Sequence, residues 1–305
     1  MNVVVKIIVI FSFLSLWACQ SKILDVEIEE QQPVYVIDAV ISNRTNPVFR
    51  VFQTTNKLNQ GKRLPAIVSG ELNTIGQHYP LHKIDSVSFT IPDFEFEKGE
   101  SYELVFENSE GQKINAATTV PESSLEIDVH EEEGVNDGYR RFRIRIKKEN
   151  EKYFCLKGVD YVPNYIPDHE SDTIIRKLFF NLESSYSFVE YFIVQDNWLF
   201  KPQLNFADAH TLPRCFSNLY FTDNYFKNNE FEIVVDISDF STSLKKSIII
   251  EVLNNDYWEY LKSLQIAQEN AGNEFATPAQ VYTNVENGAG VFVGKWQYVN
   301  DILWE

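Results

Sequence analysis

The sequence predicts a mainly β protein: an N-terminal antiparallel β-sandwich, then a larger β-rich domain with one α-helix in the C-terminal half of the chain. Three observations predict it. The 305 residues include 23 Phe and 15 Tyr but one Met, and aromatic and β-branched side chains suit a pleated, half-buried surface. Short runs of alternating apolar and polar residues recur between Gly, Pro and Asn turns, the pattern of antiparallel strands. One stretch, Tyr257 to Glu269, instead repeats its apolar residues every three and four positions, as a helix does.

The first residues read as an export signal. Lys6 is the one charged side chain before Lys22, and Ile7 to Trp17 is largely apolar. That run is short of the roughly 20 residues of a membrane-spanning helix and fits the apolar region of a secretory signal. It closes Leu16-Trp17-Ala18-Cys19, which resembles the lipobox of bacterial lipoproteins, with Trp17 in place of the usual small residue. The resemblance implies removal of residues 1–18, a diacylglyceryl group on the Cys19 sulfur, and acylation, as by palmitate, of the new amine. Two or more acyl chains anchor a protein stably. Gln20 follows the cysteine where Asp would mark retention, which by resemblance to Gram-negative sorting points to the outer membrane. The alternative is a buried first strand with a chance Cys. Residues 19–32 carry Asp25, Glu27, Glu29 and Glu30 and no aromatic residue, the composition of a solvated tether. The alternation of Val26 and Ile28 with these acids would also suit a short edge strand.

The first domain is expected at 33–122. Residues 34–42 form a strand, 43–47 a turn cluster, and 48–52 the returning strand. Residues 53–80 are polar with scattered Gly and Pro and read as a long loop with at most a short strand. Val87 to Ile91 alternates. After Gly99, Tyr102, Leu104 and Phe106 fall on one face of a strand, and Ile114 to Val120 follows a turn at 108–111.

The second domain is expected at 123–305. Leu125 to Val129 opens it, and residues 130–138 read as a turn. From Tyr139 to Lys148, Phe142, Ile144 and Ile146 alternate with Arg143, Arg145 and Lys147. The basic face could bind an anion or simply be solvated. Residues 153–162, 178–182, 188–194, 231–237 and 247–252 read as strands or apolar segments, with a polar loop at 163–176 and the last two strands candidates to pair. The helix is placed at about 256–270. Asp256 and Glu259 form a capping-box-like start, and Gly272 ends it.

Composition narrows the function. The net charge is −17, and residues 1–18 contribute one Lys and no acid, so the mature chain is more acidic still. That argues against nucleic acid and against direct attraction to anionic lipid. Besides Cys19 there are Cys155 and Cys215. They are either a disulfide, which an exported compartment permits and which would add roughly 4 kcal/mol by closing a loop of about 60 residues, or two separate buried thiols.

No catalytic motif stands out. His78 and His82 are four apart, but Pro80 between them disfavours a metal-binding helix. His130 lacks a second His at zinc-protease spacing. His169 lies among Asp168, Glu170 and Asp172 without the spacing of a calcium loop. Neither a nucleophile elbow nor a phosphate-binding loop is present. No catalytic residue, metal ligand or cofactor is therefore assigned. Two aromatic clusters, Trp198 to Phe200 and Phe216 to Phe226, either line a ligand cleft or are ordinary core; Trp198, Tyr220 and Tyr225 are the candidate ligand contacts.

Residues 275–292 read Phe-Ala-Thr-Pro-Ala-Gln-Val-Tyr-Thr-Asn-Val-Glu-Asn-Gly-Ala-Gly-Val-Phe. Asn287-Gly288 is a tight-turn pair, and Gly290 permits close backbone approach. With the preceding Tyr-rich helix, this ending resembles a family of Bacteroidota lipoproteins labelled domain of unknown function 4249. The strand at Val34 to Ser42, Gly99-x-x-Tyr102-x-Leu104 and Phe221-x-Asp223-x-x-Phe226 also look like that family. Val285 and Ala289 depart from its usual Ile and Leu or Ile. The resemblance implies an immunoglobulin-like first domain, an outer-membrane or periplasm-facing lipoprotein, and a frequent gene neighbour encoding a TonB-dependent receptor. The expected function is a non-catalytic accessory lipoprotein for ligand capture or uptake with such a receptor. The alternatives are a hydrolase of surface glycans or peptides and a structural envelope protein.

Overall fold

A computed structural model describes residues 33–44, 46–54, 64–132, 139–163, 173–178, 180–182, 191–197, 201–205, 215–216, 218–238, 245–270 and 279–302. The expected signal, Cys19 and the tether lie outside these. The first strands are β1 (Tyr35–Ile41), β2 (Val48–Gln53), β3 (Ile67–Thr74), β4 (Gln77–Pro80), β5 (His82–Lys83), β6 (Ser88–Thr90), β7 (Ser101–Asn108) and β8 (Lys113–Thr119). Next come β9 (Glu126–Glu132), β10 (Tyr139–Lys147), β11 (Tyr153–Pro163), β12 (Thr173–Leu178), β13 (Phe180–Leu182), β14 (Tyr191–Asn197), β15 (Lys201–Asn205), β16 (Cys215–Phe216) and β17 (Asn218–Thr222). Then β18 (Glu230–Ser238), β19 (Lys245–Leu253), helix α1 (Asn255–Asn270), β20 (Val285–Glu286) and β21 (Ala289–Ile302). The chain is mainly β, and α1 is the one α-helix among the described residues.

Two sandwiches share one long sheet. That sheet runs β15-β14-β17-β11-β19-β21-β1-β2-β6-β5, with β12 also paired to β11. The sheet β20-β8-β7-β3-β4 covers one end, closing a core of Ile37, Phe49, Phe89, Leu104, Phe106 and Phe292. The sheet β16-β13-β18-β10-β9 covers the other, closing a core that includes Phe142, Ile144, Phe154, Leu156, Ile233 and Ile250. Strict alternation decides which side chains enter. In β1, Tyr35, Ile37, Ala39 and Ile41 are buried and the residues between them are not.

β21 joins the two halves. Its first residues pair in parallel with β1, from Val36↔Ala289 to Ile41↔Gly294. The rest pair antiparallel with β19, from Leu253↔Lys295 to Lys246↔Ile302. Glycines permit this path. Gly290 has φ +90°, and a Cβ there would lie 2.0 Å from the Ile37 carbonyl oxygen. At Gly294, where β21 changes partner, a Cβ would meet the Thr119 oxygen at 2.6 Å. Asn284 holds the start of this path: its Oδ1 accepts from the Phe292 N–H at 3.0 Å, and its Nδ2 donates to the carbonyls of Phe292 and Ala117. Residues 33–122 therefore do not complete the first sandwich alone. β20 and the first part of β21 return to it, a destination that the short run Val291-Phe292-Val293 does not disclose.

Other elements differ from expectation. Residues 67–80 form the hairpin β3–β4 rather than a loop. A register shift between Ile67 and Ser69 breaks the alternation, and Gly70 occupies a core position where a Cβ would touch the Phe106 ring at 2.8 Å. β18 and β19 are not paired; they lie in different sheets and face each other across the second core. Residues 173–176 lie in β12 rather than in a polar loop. The cap of α1 is Asn254, whose Oδ1 accepts from the Tyr257 N–H at 3.0 Å, while Asp256 accepts from the Tyr282 hydroxyl. Gly272 lies outside the described residues.

Gly290→Ala should cost about 3 kcal/mol or more, because the added methyl meets backbone and the positive φ is disfavoured. Gly111→Ala, at φ +80° with nothing within 4 Å, should cost only about 1 kcal/mol. Urea unfolding of both variants checks this; equal losses would show the β1–β21 contact to be slack.

Candidate functional site

A groove of about 550 Å³ opens at one end of the first sandwich. One wall is the turn after β1. Asn43 extends the β1–β21 pairing by a side chain, donating to the Gln297 carbonyl at 3.1 Å and accepting from its N–H at 2.8 Å. A second wall is the segment between β6 and β7, where Asp93 takes a left-handed conformation with φ 54°. From there Phe94 and Phe96 point inward and Asp93 and Glu95 outward. The rings are fixed edge to face: Tyr79 to Phe94 at 4.9 Å, Phe94 to Phe96 at 4.8 Å, Phe96 to Tyr102 at 5.1 Å. The third wall is Trp296. The Lys98 ammonium sits 4.8 Å over its ring and donates to the Ser123 carbonyl at 2.6 Å, a cation–π contact that restrains the indole.

The rim is chemically uncommitted. Arg44, Asn46, Asp93 and Glu95 are exposed, and none makes a side-chain hydrogen bond or ion pair with another described residue. A second groove, about 520 Å³, lies on the other side of the 93–95 segment and is lined by Asp93, Glu95, Glu97 and Glu100 with no Lys or Arg. Ile75, at the tip of the β3–β4 hairpin, stands 86% exposed on its border. The alternation Asp93-Phe94-Glu95-Phe96-Glu97 was the available sequence signal for this segment. Nothing in the sequence brought Trp296 to Arg44.

The aromatic residues expected to contact ligand fare differently. Tyr220 is buried, packed with Cys155, Leu253, Trp258 and Leu261 beneath α1. It is core, because β17 turns that face of the sheet toward the helix. Trp198 and the Tyr225 side chain lie outside the described residues. Cys155 is a free, buried thiol, not a disulfide partner of Cys215. It faces α1, whereas β16, which carries Cys215, belongs to the sheet covering the opposite face. Burial, with the nearby Glu251 charge, pushes its thiol well up, so it is not poised as a nucleophile.

The basic face of β10 is paired rather than open. Arg141 meets Asp236, Arg143 meets both Glu132 and Glu232, Arg145 meets Glu232, and Lys147 meets Glu126. His78 and His82 sit on strands of different sheets. Among the described residues, no group of three or more His, Cys, Asp or Glu is placed to hold a metal ion.

A buried charged cluster lies under α1. Glu251, 2% exposed, accepts on one oxygen from Lys157 at 2.5 Å, Lys295 at 2.8 Å and Gln297. Burial alone would raise its carboxyl, but the Lys295 and Lys157 ammonium groups outweigh that and hold it at about 2. Burial likewise disfavours the charged Lys295, and Glu251 more than compensates. The Tyr257 hydroxyl is pushed up by burial and by the Glu251 charge. The Glu251 carboxylate is closed off from solvent, with Lys157 and Lys295 partly exposed beside it; the cluster ties β11, β19 and β21 together. The carboxylate pKa falls on folding, so its contribution is present above about 4.5 and is lost as pH falls toward 2. Glu251→Gln should cost about 2–3 kcal/mol at pH 7 by stranding two partly buried ammonium groups. It should also flatten the acid limb of a stability-against-pH curve measured by urea unfolding, and an unchanged limb would place the acid sensitivity elsewhere.

No curated protein matches the chain. One family model does, over residues 21–297, and its description is a domain of unknown function, DUF4249. That span covers α1, the groove and all of both sandwiches except the last five residues of β21, and so the chain belongs to the family of domain of unknown function 4249.

Proposed function

We propose that this chain is an outer-membrane-anchored binding lipoprotein, accessory to a TonB-dependent receptor in ligand capture or uptake. The observation that carries the binding role is the groove beside Asp93. Its walls are locked by Asn43, Lys98 and the aromatic contacts, while the side chains of Arg44, Asn46, Asp93 and Glu95 make no hydrogen bond or ion pair with another described residue. A site whose walls are fixed before binding loses less entropy on capture. The membrane anchor rests on the lipobox-like Leu16-Trp17-Ala18-Cys19, and the receptor on the family resemblance.

The placement of the groove suits a tethered protein. The strand that follows the expected tether begins at Tyr35, and the groove opens beyond its other end, past Ile41. Seven residues of strand span about 20 Å, so the groove and the point where the tether joins lie at opposite ends of β1.

Two measurements test the proposal. Wild type should incorporate radiolabelled palmitate and fractionate with outer membrane, and Cys19→Ala should do neither. The tagged, lipidated protein should recover a TonB-dependent receptor from solubilised outer membrane. Palmitate-free wild type, or recovery of no receptor, would overturn the anchor or the partner respectively.

A further inference from the structure

We propose that the groove between Arg44, Asp93 and Trp296 takes a neutral, hydroxyl-rich ligand, a segment of carbohydrate chain. The inference rests on the binding role and deepens it. The rim mixes groups that only donate with groups that only accept. Arg44 supplies N–H donors, Asp93 and Glu95 supply acceptors, and Asn46 supplies both. An anionic ligand would meet the two carboxylates, and a cationic one would meet Arg44. A hydroxyl donates and accepts at once, so a row of hydroxyls satisfies both kinds of rim group with no net charge of its own.

The walls agree with the rim. Phe94 and Trp296 are partly exposed aromatic rings held by neighbours, and the part of each ring that its neighbours leave open offers apolar surface to the C–H side of a sugar ring. The volume, about 550 Å³, falls within the range of small-ligand sites. The opening is broad and its lining mainly polar, as a ligand that stays partly hydrated requires.

A peptide added as an extra strand fits less well. Such binding needs a run of free strand edge. Beyond Gly294 β21 pairs with β19 alone, and its other side is already met at this groove by Asn43, whose side chain bonds both the N–H and the carbonyl of Gln297.

The test uses the full mature chain in a detergent without a sugar headgroup. Cellohexaose, maltohexaose, xylohexaose and mannohexaose are the probes, with hexalysine and hexaglutamate as charged comparisons, read by saturation-transfer NMR. At least one hexasaccharide should show transfer concentrated on ring C–H protons, and neither charged peptide should bind. Arg44→Ala and Glu95→Ala, both at exposed positions, should together weaken that sugar about tenfold while leaving the unfolding midpoint unchanged. Binding of no hexasaccharide, binding of a charged peptide instead, or sugar binding indifferent to the double variant would each overturn the proposal. Recovery of a receptor does not depend on these probes, so failure here is distinguishable from failure of the accessory role.

Discussion

The double pairing of β21 is the constraint on which the rest of the fold depends. One strand supplies a parallel neighbour to β1 and an antiparallel neighbour to β19, so both sandwiches are built on a single backbone register. Gly290 and Gly294 leave no room for a side chain where β21 runs against Ile37 and Thr119. Phe292 fills the first core and Ile302 reaches the second. The groove is a by-product of this arrangement. Trp296 lies just past the change of partner, and Asn43 bonds to Gln297 where β1 has run out.

The buried charges under α1 belong to the same construction. Lys295 and Gln297 come from β21, Glu251 from β19 and Lys157 from β11. Three adjacent strands therefore meet at one carboxylate oxygen. An apolar core would tolerate a slip of two residues in register, whereas a buried carboxylate with its cations displaced would not. The cluster is best understood as a specificity device for the sheet, with α1 as its cover.

Much of this was legible in the sequence where a pattern was local. Phe142, Ile144 and Ile146 announced β10 by period two, and Tyr257, Leu261 and Leu264 announced α1 by period 3.6. Trp258 completes the buried face of that helix. Patterns interrupted by a bulge or a core glycine were not legible, which is why β3 looked like a loop. Pairing between distant segments was not legible either: nothing local distinguishes a β18–β19 hairpin from two strands facing each other across a core. The aromatic cluster around Tyr220 misled for a related reason, because composition does not say which face of a sheet a helix will cover. The family-like ending was recognisable by its residues, and the structure gives them packing work. Tyr282 bonds to Asp256 on the helix, Asn284 clamps Phe292, and Gly290 seats on β1.

The placement of β21 also sets an order of events. Residues 36–41 find their parallel neighbour only in residues 289–294, so during synthesis the first sandwich waits for a segment made after nearly all of the second. A chain with such distant contacts folds slowly and late. The first sandwich is complete only when its closing strand arrives.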